Sequence, residues 1–184
     1  MDLQEYKDSV DCINNSQIKL FKRSPDNWYR QYVLNLDGIT TQAMSLGTEI
    51  HESIDFTKHY KKEEHIMVYH EKHDVWLCGT LDAISLEKNR IVEIKSGLKR
   101  SIITSKDTID QVCYYMYLAE LYHGTKFRPV GLYVQTKRNK EGEIVRTRNK
   151  KFYNLAVYCA NYRLRTEYRI KSFLDGVERY EYDI

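Results

Sequence analysis

Gly79-Thr80-Leu81-Asp82-Ala83-Ile84-Ser85-Leu86-Glu87-Lys88-Asn89-Arg90-Ile91-Val92-Glu93-Ile94-Lys95 is the stretch that decides the fold. Leu81, Ala83, Ile84 and Leu86 read as a strand running into a polar Glu87-Lys88-Asn89 turn, and Ile91, Val92 and Ile94 read as its hairpin partner. Two apolar strands thus carry Asp82, Glu93 and Lys95. Side chains alternate faces along a strand, so Glu93 and Lys95 share one side while Ile94 takes the other. Two carboxylates held on strands make a hard oxygen site suited to Mg²⁺ or Mn²⁺, which polarises a phosphoryl oxygen and makes water a better nucleophile. The ammonium of Lys95 beside them would orient that water or steady charge on the phosphate.

Working outward, residues 43–52 read as a helix that keeps Leu46, Ile50, Ile54 and Phe56 near one apolar stripe, with His51 next to it. Glu49 and Glu52 are nearby acids with weaker claims on the site. Residues 107–123 read as a second helix, with Ile109, Val112, Met116, Leu118 and Leu121 for the core and Gln111 and Tyr115 four residues apart on one face. The chain therefore holds, in order, G-x-x-x-H (Gly47 to His51), G-x-x-D-A (Gly79 to Ala83), E-x-K (Glu93 to Lys95) and Q-x-x-x-Y (Gln111 to Tyr115). This order resembles the RecB-like branch of the PD-(D/E)XK nucleases. An opening segment at Ser16, Ser24 and Pro25 looks like the family's serine-capped short helix, followed by an aromatic-rich helix at Trp28, Tyr29 and Tyr32. The resemblance covers about residues 13–134, and its wording, with Thr41 to His51, is most similar to RecE-type and phage recombination exonucleases.

That resemblance implies one α/β domain over residues 1–184, a restriction-endonuclease-like core with a mixed central sheet and helices on both faces. It implies Asp82, Glu93 and Lys95 as catalytic residues, and Asp82, Glu93, His51 and the main-chain carbonyl of Ile94 as ligands of one or two Mg²⁺ or Mn²⁺ ions. Gln111 and Tyr115 would contact the substrate strand or orient Lys95 and the acids. The implied activity is metal-dependent hydrolysis of DNA, with an exonuclease in recombination, repair or replication of phage or mobile-element DNA as the leading mode. The alternatives are a structure-selective endonuclease and a nuclease-like module that binds DNA or protein without cutting. Besides DNA, a single-strand annealing protein or a helicase is the partner to expect. Relatives with an iron-sulfur cluster place a cysteine before the proline, where this chain has Ser24. Its cysteines, Cys12, Cys78, Cys113 and Cys159, form no C-x-x-C pair, so no cluster is expected. The four could form two disulfides in principle, but Cys78 and Cys113 fall inside core elements, where a free thiol behaves as a small apolar residue, which suits a reducing cytoplasm.

Composition is consistent with this. The 184 residues suffice for one core, no apolar run approaches a membrane span, and the opening MDLQEYKDSV is too polar for a signal peptide. A net charge of +3 does not by itself announce nucleic acid. Its distribution says more: Lys137, Arg138, Lys140, Arg146, Arg148, Lys150 and Lys151 flank an Asn-Lys-Glu-Gly-Glu turn, a hairpin suited to lie along a phosphate backbone. Lys99, Arg100 and Lys106, between the Lys95 strand and the Gln111 helix, are further candidates. His59, His65, His70 and His73 span a strand and turn rather than one compact helical face, which argues against zinc. Most of the sixteen tyrosines fall at helical or strand spacing and read as core and rim packing. Further strands are expected at 65–70 and 129–135, and a last helix at 155–174 with Leu155, Ala156, Cys159 and Tyr162 inward.

Overall fold

Strand alternation and turn chemistry build the centre of the molecule, which the computed structural model describes over residues 12–36 and 42–180. Thr41 and the polar opening, residues 1–10, lie outside the described residues. Among the described residues three helices come first: α1 (Asn15–Arg23), α2 (Pro25–Tyr32) and α3 (Gln42–Glu52). The strands β1 (Lys61–His70), β2 (Val75–Ser85) and β3 (Arg90–Gly97) follow as a meander; β2 pairs antiparallel with both neighbours. A short 3₁₀ turn (Arg100–Thr104) and the long helix α4 (Lys106–His123) then cross over to β4 (Arg128–Arg138), which pairs parallel to β3 as such a crossover requires. β5 (Ile144–Asn154) returns antiparallel and α5 (Tyr162–Glu178) closes the chain. Among the described residues the sheet order is β1-β2-β3-β4-β5, a mixed five-stranded sheet between helices. The α/β restriction-endonuclease-like core expected from the sequence is the observed architecture.

Two clusters of buried side chains show how the helices divide. One face carries α1, α2, α4 and α5 over Leu77, Leu81, Ile84 and Ile91. Here Trp28 is fully buried, with Phe21 and Phe173 edge-on at 4.9 and 5.8 Å. On the other face Ile50 and Ile54 of α3 and its following loop cover Ala83, Val92, Ile94, Leu132 and Val134, with Leu46 and Phe56 packed alongside. The apolar stripe read in residues 43–56 is thus the stripe that docks.

Several local expectations change. α1 is capped by Asn14, whose Oδ1 accepts the Gln17 N–H at 3.0 Å, and Ser16 lies inside the helix. Ser24 instead caps α2, with Pro25 at the first helical position, where its missing N–H costs nothing. The last helix starts at Tyr162: Leu155 and Cys159 are buried as expected but sit in the preceding turns, and Ala156 is exposed. Leu121, placed in the core from its spacing, is 41% exposed.

The cysteines also differ in part from the expectation: Cys78 is not the free core thiol it was read as, whereas Cys113 is. Cys12 and Cys78 form a disulfide, while Cys113 and Cys159 are free and buried. The cause is a backbone contact: Ile13 lies parallel to Leu77, its N–H donating to Trp76 O at 2.8 Å and its carbonyl accepting from Cys78 N–H at 2.9 Å. That bridge sets Cys12 beside Cys78 across a sequence separation of 66. Closing such a loop restricts the unfolded chain by about 4 kcal/mol in the chain-entropy account. Disulfides are rare in reducing compartments, so the cysteines no longer support a reducing cytoplasm. No described helix is long and apolar enough to cross a membrane.

Candidate active site

β2 and β3 pair only through Ala83–Val92, Ile84–Ile91 and Ser85–Arg90, and beyond Ala83 the two strands part. Asp82 stands at that opening. Its Oδ2 accepts the Ile94 N–H at 2.6 Å, so the side chain takes the place of the next rung of the ladder. The opening coincides with a change of phase in β2: Leu81 packs in one core cluster, while Ala83, two residues on, packs in the other. Opposite, between the Lys62–Ala83 and Glu64–Leu81 pairs, Glu63 has φ 52°, a left-handed conformation uncommon for a residue with a side chain. A twist at this point keeps Asp82 15% exposed rather than turning it into either core.

β3 supplies the rest. Ile94 is buried under α3, and Glu93 and Lys95 project to the α4 side as alternation requires. Glu93 is 2% exposed; its Oε1 lies 2.6 Å from Lys95 Nζ and its Oε2 is buried with no hydrogen-bond partner. Lys95 Nζ also donates to Gln111 Oε1 at 2.9 Å, and Gln111 Nε2 donates to Tyr115 Oη at 3.2 Å. Gln111 and Tyr115 are one turn apart on α4, so a single helix face aims the lysine. From the opposite face of the sheet, His51 at the end of α3 brings Nδ1 to 3.4 Å from Asp82 Oδ1. The structure thus gathers His51, Asp82, Glu93, Lys95, Gln111 and Tyr115 around one opening.

Burial and mutual charge set the protonation of this group. Glu93 is pushed up to about 7, first by burial and then by the Asp82 charge, with Lys95 and His51 pulling the other way. Burial pulls Lys95 down, but the charges of Glu93 and Asp82 outweigh it and hold the ammonium above its ordinary value. Lys95 therefore stays protonated. Burial likewise lowers His51, and the hydrogen bond and charge of Asp82 more than reverse it. Burial, with Glu93 nearby, raises Tyr115, which remains a phenol with an O–H to donate.

The donor chemistry fits a hard divalent cation. A buried carboxylate with an unpartnered oxygen and a raised pKa is short of positive charge, and a second carboxylate lies in the same opening. A strand residue's N–H and C=O point to the same side, so the Ile94 carbonyl faces the opening from which Asp82 takes its N–H. Among the described residues no three His, Cys, Asp or Glu side chains converge as a finished cage. Two carboxylates lie at the opening, and His51 Nδ1 stands 3.4 Å from one of them. The other histidines are engaged elsewhere: His59 pairs with Glu87, His65 with Thr80, and His70 stacks on His73.

The basic candidates lie outside this group. Lys99 and Arg100 are exposed just past β3. Lys137, Arg138 and Arg148 are exposed on the β4–β5 hairpin, which runs beyond the Gly97–Gln135 pair and so overhangs the end of β3 that bears Lys95. None of the five forms an ion pair with Asp82 or Glu93 among the described residues.

Sequence reasoning left the role of Gly79 unread. A Cβ there would meet Tyr115 Cε1 at 2.9 Å and Leu118 Cδ2 at 3.2 Å, so glycine lets the Tyr115 ring lie on β2. Gly79→Ala is expected to push that ring outward, loosen the Gln111 hold on Lys95, and cost about 1–3 kcal/mol of stability. Thermal melting checks this, and a variant as stable as the parent would show that the Tyr115 seat does not matter.

No family model and no curated protein matches the chain. Solved structures do. A protein from Eubacterium rectale, provisionally named an exonuclease, superposes with a TM-score of 0.62 at 10% identity, covering 94% of this chain and 83% of that one. The structure of SSO0001 gives a TM-score of 0.51 at 13% identity, covering 92% and 84%. At such identities the likeness is one of fold.

Proposed function

We propose that this protein is a divalent-metal-dependent deoxyribonuclease that hydrolyses phosphodiester bonds, of the RecB-like PD-(D/E)XK kind, and acts as an exonuclease on DNA ends. Phage or mobile-element recombination, repair or replication is its proposed setting. The observation that carries the reading is the joint presence, at one strand opening, of Asp82, the unpartnered Glu93 carboxylate and a Lys95 ammonium held by Gln111. The provisional exonuclease name of the Eubacterium rectale protein is consistent with it.

Asp82, Glu93 and the Ile94 carbonyl would hold Mg²⁺ or Mn²⁺, which supplies Lewis-acid polarisation of the phosphoryl oxygen and a more acidic water. Lys95, charged throughout, donates hydrogen bonds to the attacking water and to the phosphate oxygens. Its role is orientation and charge neutralisation rather than proton removal. Gln111 fixes the lysine rotamer, and the Tyr115 O–H remains available to the substrate strand. His51 holds Asp82 from the far side of the sheet. The exposed cations at Lys99, Arg100, Lys137, Arg138 and Arg148 would follow the phosphate backbone beyond the opening.

The test is cleavage of end-labelled linear duplex, linear single-stranded and closed circular DNA, with Mg²⁺ or Mn²⁺ and with EDTA. Progressive shortening of linear DNA alone, abolished by EDTA and restored by excess Mg²⁺, is expected. Nicking of circles would make it an endonuclease, and intact substrates with folded protein would replace the reading with a binding module.

A further inference from the structure

A cleft of about 280 Å³ lies between the end of α1, the start of α4 and the side of α5. Its lining is cationic: Lys19, Lys22 and Arg23 from α1, Lys106 from α4 and Arg169 from α5. Against these five stand two carboxylates, Asp107 and Asp110, a net of +3 in one cleft, which equals the formal charge of the whole chain. The carboxylates act as anchors. Asp107 takes Lys19 at 3.1 Å and also pairs with Arg23, and Asp110 pairs with Arg165 at 2.5 Å and lies 3.8 Å from Arg169. Arg169 is held further by donating to Asn15 Oδ1 at 3.1 Å and to the Asp110 carbonyl at 3.0 Å. Lys22 and Lys106 are exposed and make no such bond among the described residues. Three fixed cations, Lys19, Arg23 and Arg169, and two free ones thus face the same space.

The position of the cleft says what it holds. Asp107 and Gln111 are four residues apart and share a face of α4, so the cleft opens about 6 Å along the helix axis from the residue that holds Lys95. One strand of DNA advances about 3.4 Å per nucleotide along a duplex axis. A strand whose phosphate sits at Lys95 and which runs along this face would place a phosphate one or two nucleotides away in the cleft. The first turn of α4, capped by Ser105, points its N–H groups to the same end and adds to the attraction for an anion.

We propose that this cleft is a second phosphate subsite, which grips the DNA strand one or two nucleotides from the bond being cut. Lys22 and Lys106 are its mobile cations, and Lys19, Arg23 and Arg169 its fixed ones. It rests on the nuclease reading above and sets how much strand beyond the scissile bond the protein needs.

The experiment compares the wild-type protein with the double variant Lys22→Gln/Lys106→Gln. Both positions are exposed and unpaired, so folding is unaffected and melting curves should coincide. Binding of a fluorescent single strand of about twelve nucleotides, with a 5′-phosphate or a 5′-hydroxyl, is measured in EDTA over a KCl series. The double variant should bind at least tenfold more weakly at about 0.1 M salt, and its log–log salt slope should shrink by about 1.4, for two lost phosphate contacts. A loss with both strands assigns the cleft to an internal phosphodiester; a loss with the phosphorylated strand alone assigns it to the terminal phosphate. Equal affinity and slope for both proteins would overturn the subsite while leaving the nuclease reading intact. If the wild type binds no DNA, the nuclease reading fails, and melting with pyrophosphate then decides the cleft: a rise in wild type that the double variant lacks keeps an anion site, and no rise removes it.

Discussion

If the protein is the nuclease proposed, Asp82→Asn is expected to lower cleavage of linear DNA about a thousandfold or more while the protein melts at or above the wild-type temperature. The first half follows from charge. An asparagine can still accept the Ile94 N–H now taken by Asp82 Oδ2, so the strand opening keeps its shape, but one of the two carboxylates that suit a divalent cation is gone. Losing a single group that stabilises transition-state charge costs on the order of a hundred- to a thousandfold, and on the proposed reading the hold on the cation would weaken as well. The second half follows from repulsion. Asp82 is the largest cause after burial of the raised Glu93 pKa, so neutralising it relieves a buried carboxylate in the metal-free protein. Single-turnover cleavage beside a melting curve checks both halves. Activity within tenfold of wild type would remove Asp82 from the site; an unfolded variant would make it a structural residue.

The parts of the fold and site that could be read from the sequence are those written in local periodicity. Ile91, Val92 and Ile94 after a polar turn declare β3 and the shared face of Glu93 and Lys95. The spacing of Gln111 and Tyr115 declares their common helix face. What could not be read depends on contacts between distant segments. Alternation alone cannot show that β2 changes phase at Asp82, because the change comes from the parting of β2 from β3 and from the left-handed Glu63 across the ladder. The Cys12–Cys78 bond follows from a bridge between Ile13 and Leu77, for which nothing near Cys12 gives a signal. The cationic cleft joins Arg23 to Asp107 across 84 residues. Its one local signal was the spacing of Lys19, Lys22 and Arg23 on a single face of α1.

On the proposed metal-dependent reading, the raised Glu93 pKa would make metal binding steeply dependent on pH. Its carboxyl lies at about 7 rather than 4.5, because burial and then Asp82 disfavour the charge. A cation is held only by the ionised form, so binding must release that proton below about pH 7, and affinity should fall about tenfold for each unit of pH below it. Above that pH it should level off. The fold itself runs in the opposite direction. A carboxyl whose folded pKa is raised contributes stability that is complete below about 4.5 and lost as the pH climbs to about 7, so the metal-free protein weakens over the range in which metal binding strengthens. The rise in melting temperature caused by Mg²⁺ should therefore be small near pH 5.5 and large near pH 8. In Glu93→Gln, where no proton has to leave and one ligand is missing, the rise should be small at both. Melting curves across that range, with and without Mg²⁺, measure the effect directly. A metal-induced rise as large at pH 5.5 as at pH 8 in the wild type would mean that Glu93 is already ionised at pH 5.5, held so by its ammonium neighbour Lys95 against burial and the Asp82 charge.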